Sequence, residues 1–529
     1  MDAIVVGAGF SGLYMVYELK KLGLSVQGIE AGDDVGGTWY WNRYPGVRTD
    51  SEARFYAYTI NSELAKSDWN YSEKFPEGAE VREYLGRVAD RFDIRSNFRF
   101  STTVLSADYD EDTGRWIVRT DPERSYSAKY FVSAAGILSA PVWPDYPGLD
   151  SFAGTYIHAS RWPKEGIDYA GKKVAIIGTG STGVQLLPQI AMTAEKVTVF
   201  QRTANYVLPG VNASLTGEHH DDRVTNIEAI REGIRESALG MPYALSGRLM
   251  FDHTPEEQQR ILEEGWQKDG FRFSVETFDD ILSNPDANKI ASDFLRNKIR
   301  EIVKDPETAE LLCPDYAYGV KRQVQGLEYL EAYNRDNVEL VNIRETPITT
   351  IAPTGIQTSD ALYEADIIVF AIGFDAATGS VLRLNVTGRD GLTLAEKWKD
   401  GLRTYMSMTV HGFPNFFMIL GPQAPTGNMP SVAEGQGKWI AQLIERVEEK
   451  GADLIEASAA AEAEWTDHVN DVVGLTLIGT EGVKANSWFL GKNIKGRAES
   501  IVIYMAGYKM FFDRSEEIAS MDYEGLNIA

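Results

Sequence analysis

Two short glycine patterns stand about 170 residues apart, each where an apolar run gives way to a helical pattern. The first, Gly7-Ala-Gly9-Phe-Ser-Gly12, follows the buried-strand run Ala3-Ile4-Val5-Val6. Leu13, Val16, Tyr17 and Leu19 then recur at helical spacing, and a second strand, Ser25 to Ile29, ends at Glu30. This is the strand–turn–helix–strand layout in which such glycines hold a dinucleotide. Gly7 permits the tight turn, Gly9 lets the backbone approach a pyrophosphate, and Gly12 lets the helix pack closely. The helix N-terminus, with Ser11 in its first turn, offers free N–H groups and a positive dipole end. Glu30 stands where a carboxylate accepts from ribose hydroxyls. The spacing therefore predicts a dinucleotide site, and the carboxylate suits FAD.

The second pattern, Gly178-Thr179-Gly180-Ser181-Thr182-Gly183, follows Val174 to Ile177 and precedes Val184, Leu187 and Ile190 at helical spacing. Its second strand, Val197 to Phe200, ends without an acid and runs into Gln201-Arg202-Thr203. An arginine there attracts a 2′-phosphate that a carboxylate would repel, so this site suits NADP(H) over NADH. Two dinucleotides held at once point to electron transfer between cofactors. The expected fold class is α/β, with two Rossmann-like dinucleotide-binding domains and a helical insertion.

Between the two patterns lies Phe152-Ala-Gly154-Thr-Tyr-Ile-His158-Ala-Ser-Arg161-Trp162-Pro163. Here the chain resembles the flavin-containing Baeyer–Villiger monooxygenases of the cyclohexanone monooxygenase type, whose signature is F-x-G-x-x-x-H-x-x-x-W-[PD]. Phe152, Gly154, His158, Trp162 and Pro163 match it in full. Family-like blocks continue at Gly36-Gly37-Thr38-Trp39-Tyr40-Trp41, Asp50, Lys321-Arg322, Gly373-Phe374-Asp375, Gly421-Pro422 and Ser487-Trp488.

The resemblance implies oxidation of a ketone by O2 and NADPH, through the C4a-peroxide of an FAD cofactor, to an ester or lactone. It makes Arg322 the group that steadies the anion and Asp50 the group that orients it. An arginine stays protonated and presents two donors in a fork. Lys321 is expected at the 2′-phosphate beside Arg202 and Thr203. Trp488 is expected at the nicotinamide ribose. Gly37, Thr38, Trp39, Trp41, Tyr56 and Met429 are expected around FAD, and Gln185 with Thr179 to Gly183 around NADP. Thr426 and Met429 are expected in the substrate pocket. His158 is not assigned as a base; it acts on domain movement or on the lifetime of the oxygen adduct.

Four positions depart from the family pattern. Ile372 stands where Thr is usual, Gln323 where Pro is common, Thr426 where a bulky aromatic occurs, and Asn205 where some relatives carry His. The first two are expected to leave the chemistry alone, the last two to bear on substrate and cofactor preference. Three rival readings stay open: an N- or S-oxygenating flavoprotein, an NADPH oxidase releasing peroxide, and a non-enzymatic redox sensor. Trp162-Pro163 argues against the first, and Arg322 with Asp50 against the second.

A chain of 529 residues is long enough for two or three cores. The expected division is an FAD-binding part over 1–140, a linker with the signature and the start of an NADP-binding part over 141–210, and a helical insertion over 211–315. The NADP-binding part resumes over 316–384, and 385–529 rejoins the FAD-binding part and covers the pocket. A net charge of −25 excludes a general nucleic-acid binder. It also requires local cations at any anionic cofactor. The single cysteine, Cys313, forms no internal disulfide, and a reducing cytoplasm is the natural setting. No run approaches membrane-spanning length, no leader is expected before the first strand, and the histidines show no metal-ligand spacing. A monomer or weak homo-oligomer is expected.

Overall fold

The chain is described here by a computed structural model covering residues 1–66, 69–494 and 496–529. Two parallel five-stranded sheets, counted over the described residues, organise it. The first runs in the order Phe416–Met418, Tyr130–Ser133, Ala3–Val6, Val26–Ile29, Phe98–Arg99. The second runs Val338–Asn342, Lys196–Gln201, Lys173–Ile177, Ile367–Phe370, Thr155–His158.

In each sheet the strand before the glycine pattern is central. The next strand lies on one side and a strand from much later on the other. Strand order therefore reverses at Val6 and again at Ile177. A crevice opens beyond the carboxyl end of a parallel strand at such a switch point. Both glycine patterns thus lead into a ready-made cleft.

The glycines are required by close approach. A Cβ at Gly12 would lie 1.7 Å from the Gly7 carbonyl oxygen, and one at Gly183 2.2 Å from that of Gly178. Gly7 has φ +107° and its Cβ would meet the Ala134 carbonyl oxygen at 2.4 Å. The neighbouring strand Tyr130–Ser133 stops there, and Ala134-Ala135-Gly136 turns past the fingerprint.

The signature segment, expected as a connector between the units, is itself a strand. Thr155–His158 pairs with Ile367–Phe370 at the edge of the second sheet. Phe152 is buried among Ala175, Ile177 and Phe370, and Trp162 among Tyr44, Ala159 and Val174. Gly154 fits because a Cβ would lie 2.3 Å from the Asp366 carbonyl oxygen. Aromatic burial on either side of a short extended run leaves it no freedom to act as a loose linker.

Residues between 217 and 312 form helices, the longest Pro255–Gln267 and Pro285–Ile302. They close their own core of Leu262, Phe273, Phe294, Leu295 and Tyr318. The later chain returns through Phe416–Met418 to the first sheet, and the long helix Met429–Lys450 crosses the first fingerprint helix, Phe10–Lys21. A Cβ at Gly437 would meet the Tyr14 ring at 2.7 Å, so the two helices touch closely there. A mixed sheet had no counterpart in the sequence reading: Thr103–Asp110, Arg115–Asp121 and Arg124–Ala128 run antiparallel, and Val386–Thr387 joins Thr103–Asp110 in parallel. Among the described residues no helix is long and apolar enough to cross a membrane.

Candidate active site

The first crevice is lined by backbone. Gly9 faces Gly37, whose φ is +53°; a Cβ on Gly37 would lie 2.7 Å from the Gly9 Cα. Ser11 is buried in the first turn of a helix that has no side-chain cap at Gly9. Its leading N–H groups are therefore left for an acceptor, which is what a pyrophosphate supplies. The buried Glu30 carboxylate accepts from the backbone N–H groups of Ala8 (2.8 Å) and Gly32 (2.7 Å). Burial nevertheless pushes its pKa up, against the pull of those donors and of Trp41. A ribose diol donating to this carboxylate would supply the missing stabilisation. The residues present fit an FAD.

Thr38, Trp39 and Trp41 lie on the short helix Thr38–Trp41 that follows Gly37. Trp39 is buried, edge-on to Tyr56 with ring centres 5.6 Å apart. Trp41 packs instead under the Arg161 guanidinium, 4.4 Å from its ring centre. The signature segment is thereby seated on the first unit. His158 is buried, accepts from the Ser160 amide at 3.2 Å, and lies 5.5 Å from the Trp143 ring. Burial, with Arg161 nearby, holds its pKa down at about 4. An enclosed imidazole so reluctant to take up a proton fits a packing role.

The second crevice begins at Gly180, where a Cβ would meet nothing within 4 Å. The helix Ser181–Ala191 behind it also lacks a side-chain cap. Its first turn holds Ser181, Thr182 and Gly183. Thr179 donates to the Thr203 carbonyl at 2.8 Å, which ties the glycine turn to the turn carrying Arg202. Arg202 is exposed, and Lys321 is half-buried over the Tyr316 ring. A third cation, Arg344, reaches Thr203 Oγ1 at 3.4 Å and pairs with Asp315 at 2.7 Å. Burial, then Arg202 and Arg344, hold the Lys321 ammonium down at about 8. Three converging cations of which one is reluctant to stay charged make a site short of an anion. A 2′-phosphate fits it.

Sequence reading missed Arg344, whose place is set by strand pairing. Val338–Asn342 pairs in parallel with Lys196–Gln201, Asn342 opposite Gln201. Arg344 leaves its strand two residues past that pair, as Thr203 does on the neighbouring strand. Gln185, expected at the cofactor, has both amide ends engaged by the first unit in this structure. It accepts from Tyr44 at 2.8 Å and donates to the Arg48 carbonyl at 3.1 Å.

Between the two crevices Arg322 Nη2 pairs with the Asp50 carboxylate. Both side chains are partly exposed, 34% and 24%. The Tyr56 hydroxyl is buried close to Asp50; burial first and that carboxylate second push its pKa well up, so it stays protonated. Lys321 and Arg322 are thus consecutive residues with different neighbours, one among the cations of the second crevice, the other on an acid of the first unit.

The loop after Gly421-Pro422 closes the region. The Thr426 amide donates to Tyr504 at 3.3 Å, and Asn428 donates to the Phe55 carbonyl at 2.9 Å. Met429 begins the long helix and packs partly buried against the first core. Trp488 opens a short helical turn, next to Ser487, which donates to the Val320 carbonyl at 2.8 Å. This tie sets Ser487 at the base of the Lys321-Arg322 turn, while the Trp488 ring packs against Phe489, ring centres 4.5 Å apart. Of the departures, Asn205 accepts from Tyr316 at 3.0 Å and Ile372 packs against the second sheet. Gln323 is buried and bonded at both ends, to Tyr318 and to Gly270.

A family model described as flavin-binding monooxygenase-like matches residues 2–217. A Baeyer–Villiger monooxygenase of Pseudooceanicola batsensis is 40% identical over 528 residues, 99% of this chain and 96% of that protein. A phenazine N-monooxygenase of Lysobacter antibioticus is 39% identical over 527 residues, 99% and 96% of the two chains. Among solved structures, cyclohexanone monooxygenase from Rhodococcus sp. Phi1 bound to NADP+ superposes with a TM-score of 0.96 at 40% identity. That match covers 100% of this chain and 98% of the other. The OTEMO complex with FAD and NADP gives a TM-score of 0.95 at 38% identity, covering 100% and 99%.

Proposed function

The chain belongs to the flavin-binding Baeyer–Villiger monooxygenases, and from that premise we propose how its own residues serve an NADPH- and O2-dependent oxidation of a ketone to an ester or lactone. FAD and NADPH, when bound, supply the two electrons and the activation of dioxygen. The protein's work is to bind, orient and exclude water.

In this reading the first sheet with its flanking segments is the FAD unit and the second the NADP unit. The uncapped helix at Gly9 and the Glu30 carboxylate hold FAD. The helix at Gly180 and the cations Arg202, Lys321 and Arg344 hold NADPH by its phosphates. Arg322 carries the central role. Negative charge gathers on the oxygen that attacks the ketone carbonyl, and a fixed guanidinium in a partly dry site lowers the energy of that charge. Asp50 keeps the fork directed, and the protonated Tyr56 stands beside the pair as a neutral neighbour. The observation that carries the reading is the Arg322–Asp50 pair, which ties the residue after Lys321 to an acid of the first unit.

The test is a product balance. Purified protein with FAD, NADPH, O2 and a cyclic ketone such as cyclohexanone should yield lactone nearly equal to NADPH consumed. Arg322→Ala should keep FAD and lose lactone by at least 100-fold while peroxide rises. Lactone at the native rate in that variant would remove Arg322 from the chemistry. A second reading, N-oxygenation, has one specific support, the phenazine N-monooxygenase at 39% identity. Formation of an N-oxide from phenazine, with no product from any ketone, would select it. A cytoplasmic monomer or weak homo-oligomer accords with this function.

A further inference from the structure

Besides Asp50 and the Gln323 carbonyl, which accepts from Arg322 Nη1 at 3.4 Å, Arg322 has an aromatic partner. Its guanidinium carbon lies 5.1 Å from the ring centre of Phe271, which comes from the helical insertion. Phe271 is one of four consecutive residues that are each fastened to the site. The Asp269 carboxylate takes Lys74 Nζ with both oxygens, at 2.8 and 2.7 Å. The Gly270 carbonyl accepts from Gln323 Nε2 at 2.9 Å. Arg272 donates to Glu52 at 2.9 Å and stacks 4.2 Å from the Tyr243 ring. Tyr243 in turn donates to the same Glu52 oxygen at 3.0 Å.

These anchors frame the reacting region. Glu52 is two residues from Asp50, and Gln323 is the residue after Arg322. Asp269, Glu52 and Gln323 are all nearly buried, at 6%, 5% and 6% exposure. Gly270 has φ +68°, a left-handed conformation that a side chain would strain, so the chain can turn here and present Phe271 between its two fastened neighbours. A guanidinium held at its edge by a carboxylate and a long bond to the Gln323 carbonyl can still swing about those contacts. A ring face against its plane removes the swing without neutralising the charge.

We propose that residues 269–272 form a clamp that sets the direction of Arg322, with Phe271 as its seat and Gln323 as its fastening. Both are positioning residues, acting through Arg322. Gln323 stands where Pro is common in the family pattern. A proline at that position has no amide side chain to hold Gly270, so the clamp would lose this bond.

The proposal rests on the assignment of Arg322 to the oxygenation, and its test separates the two. Phe271→Leu, Gln323→Ala and the double variant are compared with Arg322→Ala and with Phe271→Tyr. FAD content, the ketone KM, the lactone kcat and the ratio of lactone to peroxide are measured in each. Amide exchange across 269–276 is measured in the cofactor-free protein.

Phe271→Leu and Gln323→Ala should each lower the lactone kcat about 10-fold and shift product toward peroxide, with ketone KM changed less than 2-fold. The double variant should be no worse than the poorer single one, because both act through one contact. Phe271→Tyr, which keeps the ring face, should recover at least half of the lactone yield. Gln323→Ala should speed exchange across 269–276 at least 5-fold.

A rise in ketone KM alone, additive losses, or unchanged exchange would overturn the clamp and leave Phe271 as a pocket wall. If Arg322→Ala itself makes lactone normally, the assignment of Arg322 falls. If only Arg322→Ala loses lactone, that assignment stands and the clamp falls.

Discussion

At the scale of single residues, the proposed preference for NADPH rests on a few cations, Arg344 among them. With a net charge of −25, any anionic ligand must be met by local cations. Arg202, Lys321 and Arg344 converge where the proposed 2′-phosphate lies. A charge-assisted hydrogen bond contributes about 1.5–3 kcal/mol. Arg344→Ala, like Arg202→Ala, should therefore lower the preference for NADPH over NADH by on the order of 10- to 100-fold, read from kcat/KM with each cofactor. An unchanged ratio would place the phosphate elsewhere.

Lys321 adds a pH signature. Its folded pKa, about 8, lies below the ordinary lysine value. The ammonium is charged below pH 8 and attracts the phosphate there; above it the attraction fades. The KM for NADPH should rise between pH 7.5 and 9, and Lys321→Gln should flatten that rise. For the cofactor-free protein the sign is opposite. The unfolded state holds the extra proton between pH 8 and 10.5, so the charged, buried lysine costs stability below pH 8 and the cost is relieved on going up. Lys321→Gln should accordingly stabilise the empty protein at pH 7 and lose that advantage by about pH 10, in thermal melts.

At the scale of elements, the fingerprints show how local spacing and tertiary contact divide the work. The strand, turn and helix around Gly7 to Gly12 were legible from local spacing, and Gly12 answers to Gly7 within the same turn. Gly37 answers to a partner 28 positions away, Gly9, so the family block alone pointed to it. Gly37→Ala introduces a Cβ 2.7 Å from Gly9 Cα at a positive φ. Strain at such a position costs about 1–3 kcal/mol. We expect FAD to be retained poorly, at least 10-fold more weakly by equilibrium dialysis, with the helical content unchanged. The signature segment taught the opposite lesson. Its proline-rich approach suggested a connector, yet Thr155–His158 pairs with a strand more than 200 residues later. Nothing local to a four-residue run announces such a partner.

At the scale of the molecule, the insertion is fastened to the first unit by buried polar groups. Arg223, 2% exposed, donates to the carbonyls of Arg54, Ala65 and Tyr58 at 2.9, 2.8 and 3.1 Å. Burial lowers its pKa, yet three carbonyls and the Trp69 ring face hold the guanidinium. Leaving a buried carbonyl without its donor costs about 1–3 kcal/mol. Arg223→Ala should lower the melting temperature by several degrees and loosen amide exchange in 50–66. A melt and exchange pattern matching the native protein would show the insertion to be held chiefly by its apolar contacts.

The sequence by itself determined the two dinucleotide units, their glycine turns, the helical character of the insertion and the family. These rest on period, on turn chemistry and on residues acting within one unit, all of which are local in the chain. Only the tertiary structure decided that Arg344 joins Arg202 and Lys321, that Phe271 faces Arg322, and that Gln323 ties the insertion to the site. Each of those depends on which strands and helices lie side by side. The free energy of such packing belongs to pairs of residues distant in sequence, so no single stretch of chain carries it.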